Sequence, residues 1–523
     1  MNGGVEDMQR RAVFMVAAAA VPLAIGAMAM GRSATAESSP TAEQAACAAF
    51  ASGAPARAAG VIAAQGIAVD IRDNVPAHCM VKAVLHPVSG SSIAVVMRLP
   101  VHWNGKLLGL GGGGWAGNVT LEAAAPALMK GYATAQTDGG HANADPWNTA
   151  WASLADGRPN MVALTDFSER AVHLTAVAAK NIVHAYYGRP QSRAYFQGCS
   201  TGGRMALMEA QRFPDDYDGI IAGAPVYTLR TQTTSLIRQN AALRPGQALR
   251  PGQIGRIAHA VLAACDMHDG VRDGIIADPA SCKWDPATIE CPSAGESPDC
   301  LSAAQVKVVR QLYDGVRTRD GRVAAYPVAR GSESQWLQWF VTTSEAGRGG
   351  MTGLRNVLLG DANYDLDHYD PEHEQARLET SAFARLYQAD DPDIGRFVAR
   401  GGKLILWHGL YDAGPSPVGT IDYYRAMAAS LKAGRAGGRE SAVASHARLF
   451  LAPGVGHCRG GPGPDRFDML GALDAWVDGD TAPERVTASR QNSTMTRPLC
   501  PYPQKPRYKG HGNTDDAASF TCG

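Results

Sequence analysis

Three residues far apart in the chain have the types and surroundings that acyl transfer requires. Ser200 lies in Gly198-Cys199-Ser200-Thr201-Gly202, between a β-rich run ending at Gln197 and a helical stretch from Gly203. A serine hydroxyl is a weak nucleophile. It needs a tight strand-to-helix turn that exposes it to a base, with glycines beside it because larger residues would collide with strand and helix. The acid and the base then follow later in the chain, each at the C-terminal end of a strand. Lys403 to Trp407 reads as a buried strand leading through His408-Gly409-Leu410-Tyr411 to Asp412, and Arg448 to Ala452 as another leading into Gly454-Val455-Gly456-His457-Cys458. His457 is expected to take the serine proton and return it to a leaving alcohol, while Asp412 fixes its tautomer and stabilises the imidazolium. Asp422 competes for the acid but falls in the next helix, facing away. His408 competes for the base but precedes the acid, and it reads instead as a substrate-binding residue on the pocket wall.

Acyl transfer also needs donors for the oxyanion. Leu110-Gly111-Gly112-Gly113-Gly114-Trp115 follows a strand in the expected place, so the amides of Gly114 and Thr201 are assigned to the oxyanion hole. The loop has neither the Gly-Lys-Ser/Thr ending of a phosphate loop nor the spacing of a dinucleotide fingerprint. Cysteine sharpens the pattern, because Cys199 directly precedes the expected nucleophile and Cys458 directly follows the expected base. A bond between them would clamp Ser200 to His457 across roughly 260 residues, a closure worth roughly 5 to 6 kcal/mol in the chain-entropy model.

The elements that must position these residues alternate. Ser92 to Leu99, Lys106 to Leu110, Tyr132 to Gln136, Arg193 to Gln197 and Gly219 to Ala222 read as strands. Asp166 to Tyr187 and Gly203 to Phe213 carry helical spacing. Such alternation predicts an α/β fold with a largely parallel sheet covered on both faces. The pattern breaks near Tyr227, where Cys, Pro, Gly and Trp cluster, and resumes near Arg400 with two further strands and helices at about Ile421 to Leu431 and Asp465 to Val477. The expected organisation is a core in two parts, 37–226 and 401–523, interrupted by a lid domain at 227–400.

Composition excludes several classes. The 523 residues carry 49 Lys+Arg against 49 Asp+Glu, so no basic surplus points to nucleic acid, and 45% hydrophobic residues are too many for a disordered chain. The apolar run Ala12 to Met30 follows Arg10-Arg11 and precedes Ala34-Thr35-Ala36, the layout of an export signal over residues 1–36. An N-terminal anchor is the alternative; after signal removal no membrane association is expected. The destination would be secreted or periplasmic. Ten cysteines in an exported chain point to disulfides, since no Cys-x-x-Cys knuckle or close His pair is present for zinc. Cys265 with Cys282, Cys291 with Cys300 and Cys500 with Cys522 are local pairs, leaving Cys47, Cys79, Cys199 and Cys458.

With the Cys-Ser, Asp and His-Cys constellation in view, nearly the whole mature chain resembles the tannase and feruloyl esterase family. The resemblance rests also on Thr137-Asp138-Gly139-Gly140-His141, Arg212-Phe213-Pro214, Gly463-Pro464-Asp465-Arg466-Phe467-Asp468 and Arg497-Pro498-Leu499-Cys500-Pro501-Tyr502-Pro503. It implies an α/β-hydrolase core with a lid over the active site, and a Cys47–Cys79 bond. Between Cys265 and Cys282, three carboxylates fall within eight residues, a density of hard oxygen ligands that suits calcium, although the spacing is not that of an EF-hand. Aspartates capping a turn-rich loop would look the same. The resemblance implies a structural calcium there, held by the side chains of Asp266, Asp269 and Asp273 and the carbonyls of Val271 and Ile275.

Among lid residues, Trp339 matches a pocket tryptophan of a family member that hydrolyses a terephthalate monoester, and with Trp336 it offers a ring for an aromatic acyl group. The chain departs from that relative at Thr201, where the relative has a glutamate, and at Pro415, where it has an aromatic residue. Neither Arg348 nor Arg355 aligns with the arginine that would hold a free carboxylate. The expected activity is therefore that of an exported serine carboxylesterase acting on small aromatic or phenolic esters such as ferulates or gallates, with no organic cofactor. Terephthalate monoester hydrolysis, or a lipase or peptidase on the same fold, are alternatives. A calcium-dependent secreted binding protein with a vestigial triad is the reading from another class. Oligomeric state is not legible.

Overall fold

Apolar residues alternating along the strands create two buried faces. In the strand Lys403–Gly409, Leu404 and Leu406 pack with Leu107, Phe196, Ile220 and Leu449, whereas Ile405 and Trp407 pack with Leu108, Tyr195, Ile221 and Phe450. Period-two alternation with both faces apolar requires a layer on each side. The helices Ala171–Tyr187 and Thr201–Arg212 supply one and Met469–Gly479 the other. The computed structural model describes residues 42–51, 63–69, 74–143, 145–292, 297, 299–433 and 443–523; the expected signal at 1–36 lies outside them.

The central sheet has strands β1 (Ala63–Val69), β2 (His78–Leu85), β3 (Ile93–Pro100), β4 (Lys106–Leu110), β5 (Ala133–Thr137), β6 (Arg193–Cys199) and β7 (Gly219–Gly223). After a short hairpin, β8 (Val316–Arg317) and β9 (Val323–Ala325), it is completed by β10 (Lys403–Gly409) and β11 (Ala447–Ala452). The order is β1-β2-β3-β5-β4-β6-β7-β10-β11. From β5 to β11 all pairs are parallel, while β1, β2 and β3 form an antiparallel edge that joins antiparallel to β5. The sequence predicted none of β1 and β2. The α/β core is an α/β-hydrolase arrangement whose parallel strands send the ends of β4, β6, β10 and β11 to the same edge, and that edge is where the expected reacting residues lie.

Because β7 and β10 are neighbours in the sheet, residues 224–402 form one excursion from it. The first part has its own buried cluster of Cys265, Cys282, Trp284, Tyr313, Trp336 and Phe340. Its later helices contribute Met351, Leu354, Phe383 and Tyr387 to the cluster on the sheet, so the excursion is anchored on the core. Trp336 is fully buried in the lid cluster and packs 5.5 Å from Phe340 of the same cluster. Disulfides join Cys47–Cys79, Cys199–Cys458, Cys265–Cys282, Cys291–Cys300 and Cys500–Cys522. Among the described residues, no helix is long and apolar enough to cross a membrane.

Candidate active site

Ser200 stands between β6 and the helix Thr201–Arg212 with φ 63° and ψ −123°, a conformation that side-chain-bearing residues rarely adopt. Three backbone hydrogen bonds hold it: its N–H donates to Gly223 O (3.0 Å), and its carbonyl accepts from Arg204 (3.1 Å) and Val226 (3.1 Å). The turn closes because Gly198, Gly202 and Gly111 meet backbone to backbone. A β-carbon at Gly198 or Gly111 would collide with the main chain of Gly202.

The loop after β4 is tied down at several points. Gly111 N–H donates to Gln197 O (2.9 Å) and Trp115 N–H to Pro146 O (2.7 Å), while Gly114 takes φ +58°. The Thr201 hydroxyl donates to Gly114 O at 2.6 Å. His141, within the Thr137-Asp138-Gly139-Gly140-His141 string, donates from Nε2 to Trp115 O (2.7 Å) and stacks 4.1 Å from Trp151. Thr201 opens its helix, where the first-turn amides lack intrahelical acceptors and the helix dipole favours negative charge. Gly114 and Thr201 both line the cavity that Ser200 faces.

Asp412, beyond β10, is 1% exposed. Its Oδ2 accepts from His457 Nδ1 at 2.7 Å and from His408 Nε2 at 3.1 Å, and its Oδ1 accepts from Gly414 N–H at 2.8 Å. Burial alone would raise this carboxyl. The facing His457 charge, with hydrogen bonds from both imidazoles, outweighs that and lowers it to about 2. Because His457 Nδ1–H donates to Asp412 Oδ2, the His457 tautomer is fixed and Nε2 is left without a partner among the described residues. The Cys199–Cys458 bond, with Cα atoms 6.0 Å apart, seats Ser200 and His457 on the same cavity wall. No hydrogen bond joins them here, and such bonds often form only when substrate is bound.

His408 is not where the sequence placed it. It is fully buried and lines no part of the cavity; Nδ1 accepts from Thr420 Oγ1 (2.8 Å), and Nε2–H is shared between Asp412 and Pro415 O (3.2 Å). Position 408 lies on a central strand with layers on both sides, and its buried side chain supports the acid. Asp422 sits half-exposed on the following helix, 4.0 Å from Arg425.

The cavity has a volume of about 650 Å³. Trp339 lines it, with its ring 5.0 Å from His457 and perpendicular to it, and Trp147 adds a second ring 6.3 Å from Trp339. Neutral polar groups from Asn118, Thr231, Gln232 and Ser235 complete the wall. Arg348 is paired with Asp367 (2.6 Å), and Arg355 donates to the carbonyls of Thr352 and Tyr364. Arg459, at the cavity edge, is largely exposed and 4.0 Å from Glu122. Trp147 and Gln232 were not legible as site residues, since neither belongs to a local motif. The Thr137–His141 string was a usable signal for His141.

In the Cys265–Cys282 loop, each of the three expected ligand aspartates caps a turn: Asp266 Oδ1 accepts from Gly274 (3.0 Å), Asp269 Oδ1 from Val271 (3.0 Å) and Asp273 Oδ1 from Ile275 (3.0 Å). Asp273 Oδ2 is also paired with Arg497 at 2.5 Å, both side chains buried. Burial raises the Asp269 carboxyl, and the neighbouring Asp273 and Asp266 charges add to the rise. Hard oxygens and crowded negative charge fit a hard cation chemically. Among the described residues, however, no three His, Cys, Asp or Glu side chains converge as a metal cage.

Residues 79–523 match the family described as tannase and feruloyl esterase. The chain is similar to a probable feruloyl esterase of Arthroderma benhamiae, at 34% identity over 82% of each chain. It is also similar to the mono(2-hydroxyethyl) terephthalate hydrolase of Piscinibacter sakaiensis, at 32% identity over 86% of this chain and 85% of that one. Among solved structures, feruloyl esterase B from Aspergillus oryzae superposes with a TM-score of 0.80 at 25% identity, covering 92% of this chain and all of the other.

Proposed function

Since the chain belongs to the tannase and feruloyl esterase family and is a carboxylic ester hydrolase, we propose that it is an exported serine esterase that cleaves small aromatic or phenolic esters through an acyl-enzyme on Ser200. The observation carrying this reading is the Cys199–Cys458 bond. It brings Ser200 onto the cavity wall beside His457, whose Nδ1 is already engaged by Asp412 at 2.7 Å. Family membership as an ester hydrolase leaves no need for the binding-protein alternative.

In the proposed cycle, His457 Nε2 takes the Ser200 proton as Oγ attacks the ester carbonyl carbon. The carbonyl π electrons move to oxygen, and the amides of Gly114 and Thr201 stabilise the oxyanion. As the oxyanion collapses, the bond to the alkoxy oxygen breaks and His457 gives that oxygen its proton, releasing the alcohol. Water then repeats the sequence in reverse roles: it loses a proton to His457, attacks the acyl carbon, and Ser200 leaves with the proton returned. Asp412, anionic throughout, balances the imidazolium.

Rings from Trp339 and Trp147 flank an aromatic acyl group, and the neutral wall formed by Asn118, Thr231, Gln232 and Ser235 suits hydroxyl or methoxy substituents. A terephthalate monoester would present an anionic carboxylate to a cavity where the lining guanidinium, Arg459, stands largely exposed at the edge, while Arg348 and Arg355 are otherwise engaged. Ferulate-like and gallate-like esters are therefore the favoured class over terephthalate, and over fatty acyl chains, which would call for an aliphatic wall. The loop holding Asp266, Asp269, Asp273 and the carbonyls of Val271 and Ile275 is proposed to hold a structural calcium, which would neutralise its crowded carboxylates. Five disulfides fit an oxidising destination outside the cytoplasm.

The test is hydrolysis of methyl ferulate, methyl gallate, mono(2-hydroxyethyl) terephthalate and p-nitrophenyl palmitate, together with fluorophosphonate labelling of wild type and S200A. Turnover of the phenolic esters, and an adduct that S200A abolishes, are expected. Preference for the terephthalate or palmitate ester would overturn the substrate class, and an adduct surviving in S200A would overturn the nucleophile.

A further inference from the structure

The helix Arg230–Leu243 opens the excursion between β7 and β10, and it carries Arg238, only 3% exposed. No carboxylate pairs with this guanidinium among the described residues. Its Nη1 donates to the carbonyls of Ala413 (2.8 Å) and Gly414 (2.8 Å), and its Nη2 to those of Tyr326 (2.9 Å) and Pro327 (3.3 Å). Nε has no partner. Burying a cation against carbonyls, with only the Phe340 ring 5.8 Å away to add to them, is costly, and an apolar side chain of similar length would fill the same volume more cheaply. What an apolar residue could not do is hold two separate loops by their main chains at once.

The two loops differ in role. Tyr326 and Pro327 belong to the lid just beyond β9, whereas Ala413 and Gly414 directly follow Asp412. Gly414 N–H donates to Asp412 Oδ1 (2.8 Å), and a β-carbon at Gly414 would lie 2.8 Å from the Trp339 ring. The peptide whose carbonyl Arg238 holds therefore belongs to a residue that touches both the acid and the cavity tryptophan. A second tie runs in parallel, from Ser416 Oγ to Pro327 O (2.8 Å). Burial pushes the Arg238 guanidinium down to about 10, and Asp412 is the charge that opposes the fall.

We propose that Arg238 is a positioning residue, a guanidinium fork that fastens the Asp412 loop to the lid so that the acid is correctly aimed at His457 only while the first lid helix is seated. This rests on the reading of Ser200, His457 and Asp412 as the reacting set. Lid and core are then linked at the acid, on the side of the triad away from the nucleophile. The fork is what matters, because a lysine ammonium can keep the charge but cannot present two planar pairs of donors to two loops.

The experiment is a double-mutant cycle on the full mature chain. It compares wild type, R238K, R238M, D412N and R238K/D412N, read by p-nitrophenyl acetate turnover and by the rate of fluorophosphonate labelling. R238K is expected to lower kcat and the labelling rate by a common factor of roughly 5 to 20, with KM within about twofold, and R238M by more. In the D412N background the R238K substitution should have little further effect, because its target is already lost. Should R238M fail to fold, R238K and its cycle decide. Wild-type kcat in R238K, a change confined to KM, or equal losses with and without D412N would each overturn the proposal. Wild type that is not labelled at Ser200 would instead refute the reacting set itself, whatever Arg238 does.

Discussion

The Thr201 hydroxyl donates to the Gly114 carbonyl oxygen at 2.6 Å, fastening the start of the nucleophile helix to the Gly-rich loop after β4. The two amides assigned to the oxyanion belong to the same two residues, so this side-chain hydrogen bond helps set their spacing, beside the backbone bonds of Gly111 and Trp115. T201V keeps the shape and the amide but loses this bond. Its kcat should fall roughly tenfold with KM little changed, less than the ~100-fold or more that follows outright removal of an oxyanion donor. Steady-state kinetics on methyl ferulate check this, and an unchanged kcat would show that the loop holds its shape without Thr201.

The Cys199–Cys458 bond closes a sequence separation of 259 and ties together the neighbours of the proposed nucleophile and base. Removing it as C199A/C458A should cost about 2–5 kcal/mol of stability, with the chain-entropy limit nearer 5 to 6 kcal/mol, and should lower kcat more than the loss of any other disulfide. Urea unfolding and kinetics on C199A/C458A and C500A/C522A separate the two effects. Equal kcat in both double variants would mean the clamp serves stability alone.

Asp412 carries a depressed carboxyl, about 2 against an ordinary 3.8. For a carboxyl lowered on folding, the folded state binds fewer protons, so the stabilisation is present above the unfolded value and disappears as pH falls toward 2. The shift corresponds to about 2 kcal/mol. Urea midpoints measured from pH 6 down to pH 2 should therefore fall more steeply for wild type than for D412N below about pH 4. Parallel curves would contradict a strongly held Asp412 anion. No limb of the kcat/KM profile above pH ~4 should track this group.

Trp339 offers its ring to the cavity beside His457. W339A should raise KM for methyl ferulate roughly tenfold, the scale of one aromatic contact, while p-nitrophenyl acetate loses less than about threefold in kcat/KM. W336A, by contrast, removes a fully buried lid side chain and should cost about 3–5 kcal/mol of stability. Losses of equal size on both esters in W339A would place the tryptophan's effect on His457 rather than on the acyl group.

Treatment with a calcium chelator should lower Tm by several degrees, restored by calcium and not by magnesium, and D266N/D269N should lose the response. Elemental analysis of the purified protein provides the independent check. A Tm indifferent to both chelator and calcium would leave the three aspartates as caps of their own turns.

Much of the site was legible because β6, β10 and β11 announce themselves as apolar runs, and chain order alone names the residues after them. β1 and β2 were not legible: β1 has mostly small residues, and β2 sends Lys82 to solvent among its apolar positions. His408 was misread because a histidine before a loop looks the same whether it points into the cavity or into the layer behind the strand. The lid boundary hid a further fact, since Met351 and Phe383 pack on the sheet rather than in a separate lid core.

The chain by itself determined which residues could react and in what order, because a parallel sheet delivers the C-terminal ends of its strands to one edge whatever the length of the excursions between them. Only the tertiary structure decided that Trp147 joins Trp339 at the cavity, that His408 supports Asp412 from beneath, and that Arg238 from the lid grips the residues after it. Those outcomes depend on which side chains lose water together and which carbonyls lie within reach of a buried donor. Arg238 meets carbonyls more than a hundred positions away, which no local pattern records, and the four-residue step from His408 to Asp412 does not by itself say into which layer the ring points.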